Sequence, residues 1–159
     1  MVKQTLTAGV NTDGKNIRTN SNNAVDWSAK VGWYLDFPVG GERAFTDPTL
    51  ALGTIAFTTN IPALGDPCSG GGISWLYQLD WKTGGAVLTA DKSSTGQLVA
   101  AEFLANEFAT RPVLVQLPSG KVVQLVQLNK GGDKSIVVDG LWFTSPARGR
   151  RSGWREIIE

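Results

Sequence analysis

Nineteen glycines punctuate 159 residues, and the apolar runs between them are short. That feature constrains the fold more than any other. Glycine reaches the positive φ that closes tight turns, so a chain divided this way reads as short strands joined by turns. Val31-Gly32-Trp33-Tyr34-Leu35-Asp36-Phe37 puts Trp33, Leu35 and Phe37 on one face at period two, and Pro38 with Gly40-Gly41 stops it. Ile73 to Trp81 is the strongest strand, with Trp75, Tyr77, Leu79 and Trp81 on one face and Leu76 on the other. Thr83-Gly84-Gly85 turns it. Val2 to Thr7 is a further strand, and Asp13-Gly14 signals a hairpin before Ile17-Arg18-Thr19. Thr49 to Leu52 and Thr54 to Thr59 flank Gly53 as two strands around a tight turn. Pro112 to Leu117 and Lys121 to Asn129 form a hairpin through Pro118-Ser119-Gly120. Ser135 to Phe143, interrupted at Asp139-Gly140, and Ser152 to Ile157 complete the strands. Ile61 to Gly72 reads as a surface loop. Leu98 to Phe108 fits a short helix about as well as a strand, and its alanines favour helix.

The length suffices for one domain with a real core, and 42% hydrophobic residues with six tryptophans supply the area to fill it. A net charge of +1 provides no field to draw in nucleic acid or an acidic membrane. Arg148, Arg150, Arg151 and Arg155 are the one local cluster. They read as a solvated terminal segment, with a phosphate or lipid-headgroup site as the alternative. Histidine is absent, which removes the commonest general base and the commonest metal ligand. The single Cys68 forms neither an internal disulfide nor a zinc site. It is a buried thiol, or it pairs with a cysteine elsewhere in a longer secreted chain. No run of about 20 apolar residues is present, so no membrane span is expected. Met1-Val2-Lys3-Gln4 leads into strand-like sequence without an apolar leader. The expectation is a cytosolic protein or a piece of a longer secreted one.

The strands contain a repeat. Thr46-Asp47-Pro48-Thr49-Leu50-Ala51-Leu52-Gly53-Thr54-Ile55 aligns with Thr110-Arg111-Pro112-Val113-Leu114-Val115-Gln116-Leu117 and Gly120-Lys121-Val122. Each unit reads Thr-x-Pro, alternating apolar residues, a glycine turn and a second strand. Gly32-Trp33 and Gly153-Trp154 each open a further strand. Units of three or four antiparallel strands suggest propeller blades. Leu79-Asp80-Trp81-Lys82-Thr83-Gly84-Gly85 is like the Asp-x-x-Thr-Gly turn of quinoprotein-type blades. Two blades and a part cannot close a ring, which needs at least about four.

These residues carry a family resemblance. Trp27-Ser28, Gly32-Trp33-Tyr34-Leu35-Asp36-Phe37-Pro38 and Gly41-Glu42-Arg43 resemble the "GWYLDLP…GER" stretch of PilY/PilC-family type IV pilus proteins. Asp66-Pro67-Cys68 and Gly71-Gly72-Ile73-Ser74-Trp75-Leu76 resemble that family's loop and following strand. Arg111 to Pro118 with Gly120-Lys121-Val122-Val123 resembles its next hairpin. Gly149-Arg150-Arg151-Ser152-Gly153-Trp154-Arg155-Glu156 is similar to its C-terminal end, "GRRVSWRE", with Gly153 inserted. The resemblance covers essentially the whole chain. It implies an all-β fold of antiparallel blades, the C-terminal part of a modified quinoprotein-like β-propeller, with one short helix allowed at Leu98 to Phe108. Residues 1–159 are then a single β-rich region of a larger propeller domain. The function it implies is type IV pilus biogenesis and adhesion, at the pilus tip or outer membrane, reached through the periplasm. Its partners would be the rest of the parent propeller, minor pilins or the tip, and a host-cell or surface receptor. A segment that only closes the propeller is the alternative. Calcium, where the family binds it, belongs to a loop of the parent protein that is not matched here.

Residue by residue, no catalytic, cofactor or metal set emerges, and no enzyme is expected. Asn11, Asp13 and Asn16 superficially suggest a calcium loop, but the full spacing is missing and Lys15 opposes a cation. A hairpin turn is the better reading. Gly70-Gly71-Gly72 lacks the Lys-Ser/Thr of a phosphate cradle. Glu102 and Glu107, five apart, would not share a helix face as a glycosidase pair. Ser69, Ser74 and Ser119 have no histidine to activate them. Trp33, Trp75, Trp81, Trp142 and Trp154 could stack on sugars if exposed, yet core packing is the better account. Trp81, at a strand end, is the exception to watch. A quinoprotein-type enzyme, binding pyrroloquinoline quinone with calcium, is the rival reading and lacks enough blades.

Overall fold

Two mainly apolar strand faces have to be covered, and the chain does so with sheets on either side of one long central ladder. The computed structural model describes residues 1–63, 71–129 and 136–143. In chain order the strands are β1 (Val2–Gln4), β2 (Leu6–Val10), β3 (Asn16–Asn20), β4 (Trp33–Leu35), β5 (Thr49–Ala51) and β6 (Thr54–Pro62). Then come β7 (Gly72–Asp80), β8 (Val99–Ala105), β9 (Val113–Gln116), β10 (Val122–Gln127) and β11 (Ile136–Gly140). The described residues are all-β, without a helix.

Six strands form the main sheet, in the order β2-β3-β8-β7-β6-β5, and every neighbouring pair is antiparallel. A second sheet has the order β11-β10-β9, also antiparallel. The third is the parallel pair β1-β4, in which Val2 faces Trp33. The sheets are open, which is compatible with a partial propeller-like arrangement. The main sheet holds six strands where the repeat suggested units of three or four.

Turn chemistry explains the hairpins. Leu52 and Gly53 both have positive φ (50° and 80°) between β5 and β6, as a two-residue turn between twisted strands requires. Asn11 Oδ1 accepts the Asp13 and Lys15 backbone N–H groups at 3.0 and 2.9 Å, folding the β2–β3 turn. The β9–β10 turn closes with the Leu117 N–H on the Lys121 carbonyl at 2.8 Å. Both Thr-x-Pro units are therefore hairpins. They also meet, since Thr49 Oγ1 donates to the Pro112 carbonyl at 2.8 Å.

The short helix allowed at Leu98 to Phe108 does not form. That segment is β8, hydrogen-bonded to β3 on one side and β7 on the other. A helix there would leave the inner edges of both neighbours unpaired, a larger loss than the few tenths of a kcal/mol per residue by which alanine favours helix. Val2 to Thr7 likewise divides, with β1 pairing to β4 and β2 to β3.

Side chains alternate across β7. Ser74, Leu76 and Gln78 face the second sheet, where Leu76 packs with Ala109, Val126 and Leu128. A row on β6 fastens this seam: Thr54 and Thr58 hydroxyls donate to the Trp142 and Thr110 carbonyls at 2.7 and 2.9 Å, and the Asn60 amide bonds both backbone groups of Ala109. Tyr77 and Leu79 face the other way, under Trp33, Leu35 and Phe37 from the 31–43 segment, as their period-two spacing requires. Phe57 and Tyr77 stack at 5.0 Å, and Phe37 tilts onto Tyr77 at 5.6 Å. Fully burying each such side chain is worth about 1.5–3 kcal/mol.

Candidate functional site

The 31–43 segment covers only part of that face. Beyond it, Ile61 of β6, Ile73 and Trp75 of β7 and Phe103 of β8 line a cavity of about 480 Å³. Val39, in the turn after Phe37, forms one wall, and Asn16 of β3 with Asn106 after β8 forms the rim. Sheet alternation places these residues together: they are the odd-numbered positions of β6 and β7 and the positions beside them on β3 and β8.

Arg18 lies at the floor, only 2% exposed. Its Nη1 bonds Glu42 Oε1 at 2.7 Å and also the Tyr77 hydroxyl. The guanidinium sits over the Trp75 ring, 3.9 Å from its centroid, and Phe103 meets the same ring edge-on at 5.8 Å. Glu42 Oε1 accepts from Thr59 Oγ1 at 2.6 Å and Tyr77 OH at 3.1 Å as well. Burial pushes the Tyr77 phenol far above its usual range, with Arg18 opposing that shift and Glu42 adding to it. The arrangement is a neutral ion pair beneath an apolar cavity. It can hold a ligand by shape and hydrogen bonds rather than by net charge.

A second polar group lies on the opposite face. Glu102 is 4% exposed, with Lys15 Nζ at 3.3 Å. Burial first, and then a hydrogen bond and charge from Asp139, raise its carboxyl to about 7.

The residues singled out in the sequence are scattered. Asn11 and Asp13 belong to the hairpin turn, and Asn16 is at the cavity rim. Both lone-pair directions of Asn11 Oδ1 are taken by backbone N–H groups and Lys15 is adjacent, so these residues do not fit calcium. Among the described residues no three His, Cys, Asp or Glu side chains gather as a metal site, and no helix is long and apolar enough to cross a membrane. Glu102 is buried in β8, and Glu107 lies beyond that strand. Ser74 is buried in β7, while Ser119 is exposed in the β9–β10 turn, Gly71 leads into β7 and Gly72 is its first residue. Asp80 Oδ1 accepts the Lys82 and Thr83 N–H groups at 2.8 and 2.9 Å, which makes the Asp-x-x-Thr-Gly segment a closed turn. Trp142 is core, and Trp33 packs on the main-sheet face with its Nε1 donating to the Trp81 carbonyl at 3.0 Å. Trp75 walls the cavity and Trp81 is 48% exposed. Cys68, Ser69, Gly70, Trp154, the strand proposed at Ser152 to Ile157 and Arg148, Arg150, Arg151 and Arg155 lie outside the described residues.

Arg18, Phe103 and Asn106 were not singled out, and Glu42 only as part of a motif. The one available signal was Arg18 at the centre of a short strand, next to Ile17. A charge there has to point outward or find a buried partner.

No family model matches the chain, and no solved structure matches it either. Curated proteins do. Over 69 residues, 40% of the chain, it is 39% identical to the type IV pilus biogenesis factor PilY1 homolog of Xylella fastidiosa. Over 80 residues, 45% of the chain, it is 35% identical to the type IV pilus biogenesis factor PilY1 of two Pseudomonas aeruginosa strains. Over that part of its length the chain is similar to these pilus biogenesis factors. The matches span only 5% and 7% of those proteins. The motif Gly41-Glu42-Arg43 has a structural role of its own. Glu42 anchors Arg18, and the Arg43 backbone pairs with Asn60 on β6.

Proposed function

We propose that this chain serves type IV pilus biogenesis as a binding and assembly module of a pilus-tip-associated protein, not as an enzyme. The observation that carries the reading is the 39% and 35% identity to PilY1 biogenesis factors. The cavity supports it, because its charged groups are spent on each other and leave an apolar, hydrogen-bonding surface. In this reading residues 1–159 are one β-rich region, the C-terminal blades of a larger modified quinoprotein-like propeller. They act at the cell surface after export through the periplasm. They contact the rest of that propeller, minor pilins or the tip, and a host-cell or surface receptor in adhesion. In-frame deletion of this region from its gene, in bacteria that retract their pili, tests it. The expected result is loss of surface pili in the sheared fraction and loss of adhesion. Normal piliation and adhesion in the deletion strain would overturn it.

A further inference from the structure

We infer that the Arg18–Trp75 cavity is a subsite for an uncharged, extended peptide segment that inserts an apolar side chain. This stands apart from the pilus reading and rests on four observations. First, the lining is aliphatic and aromatic: Val39, Ile61, Ile73, Trp75 and Phe103. Second, the buried charge is already neutralised, since Arg18 is paired with Glu42 at 2.7 Å. A charged ligand would compete with that pair and gain little. Third, the rim carries two carboxamides, Asn16 and Asn106. Neither side chain makes a hydrogen bond among the described residues. A carboxamide offers one acceptor and two donors, the complement of a peptide's N–H and C=O. Fourth, a neighbouring cavity of about 300 Å³ shares Ile61, Ile73 and Asn106 with the first. Two adjoining hollows divided by common walls suit successive inward side chains of one extended strand.

A sugar is the rival ligand, and the geometry disfavours it. Stacking on a pyranose needs an open aromatic face. One face of Trp75 is occupied by the Arg18 guanidinium at 3.9 Å, and Phe103 packs edge-on against the ring.

The test is calorimetric titration of the protein with acetylated, amidated seven-residue serine-threonine peptides whose central residue is isoleucine, aspartate or lysine. Oligomers of N-acetylglucosamine form a parallel arm. The isoleucine peptide is expected to bind, with the charged peptides at least about tenfold weaker by the cost of burying an unpaired charge. Ile73→Asp should abolish that binding. Ile73 is 38% exposed, so the fold should tolerate the change. Asn106→Ala, at the rim, should weaken binding several-fold with an unchanged thermal transition. Equal binding of charged and isoleucine peptides would overturn the inference. So would binding indifferent to both variants, saturable binding of the sugar alone, or no binding of any peptide at millimolar concentration.

Discussion

Glu42 has one carboxylate oxygen engaged three times and the other not at all. Oε1 accepts from Arg18, Thr59 and Tyr77, while Oε2 is buried without a hydrogen-bond partner among the described residues. The pair therefore depends on one well-placed atom. Glu42→Ala leaves the Arg18 guanidinium buried and unpaired, and should cost about 3–5 kcal/mol in urea denaturation. Replacing Arg18 with Met in the same background should restore much of that loss, because no buried charge remains. A cost below about 1 kcal/mol for Glu42→Ala would mean that water reaches Arg18. Glu102 gives a pH dependence of its own. Its folded carboxyl is raised from 4.5 to about 7. Between those values the folded chain holds a proton that the unfolded chain releases, so stability falls as pH rises from about 4.5 to about 7 and then levels off. The contribution should be about 1–3 kcal/mol. Denaturation at pH 5 and pH 8 reads it, and Glu102→Gln should flatten the difference. An unchanged pH profile in that variant would assign the dependence to other groups.

At the scale of the element, turn residues carry the fold's local information. Leu52 has φ 50°, a conformation that costs a non-glycine residue roughly 1 kcal/mol and that asparagine tolerates better. Leu52→Asn should therefore raise stability by about 0.5–1 kcal/mol and shift the thermal midpoint up by a few degrees. A fall of that size instead would mean that Leu52 side-chain packing outweighs its backbone strain. Such turns are also why much of the fold was legible. Asp13-Gly14, Gly53, Gly84 and Gly120 each mark a turn by a residue type that few conformations demand. The period-two faces of Trp33, Leu35 and Phe37 and of Trp75, Tyr77 and Leu79 follow from their packing in one shared cluster. Leu98 to Phe108 was ambiguous because alanine is indifferent to the pleat. Its strand state is fixed by β3 and β7, which are far away in sequence. The six-strand order was hidden for the same reason. The Arg18–Glu42 clasp was illegible because its members are 24 positions apart, and Glu42 follows two glycines in what reads as a solvated turn.

For the whole molecule, the second sheet leaves an aliphatic face outward. Register aligns Val113 with Leu125 and Leu125 with Val138 across its three strands. Val113, Ile136 and Val138 are 49%, 57% and 62% exposed, although a solvated sheet face usually alternates to polar residues. The outer strands β9 and β11 flank this face with edges that no described strand pairs. An open edge beside an apolar face is a template for another sheet. The protein should therefore not remain monomeric at micromolar concentration. Sedimentation velocity across a concentration series should show a rising weight-average mass. Ile136→Lys combined with Val138→Lys puts charge on both the face and the edge, and should return a monomer with the same far-ultraviolet spectrum. That pair of results would locate association on the second sheet. A wild-type chain that sediments as a monomer throughout, with slow hydrogen exchange on β9 and β11, would mean that these strands are protected within the single chain and that the face is stable in water.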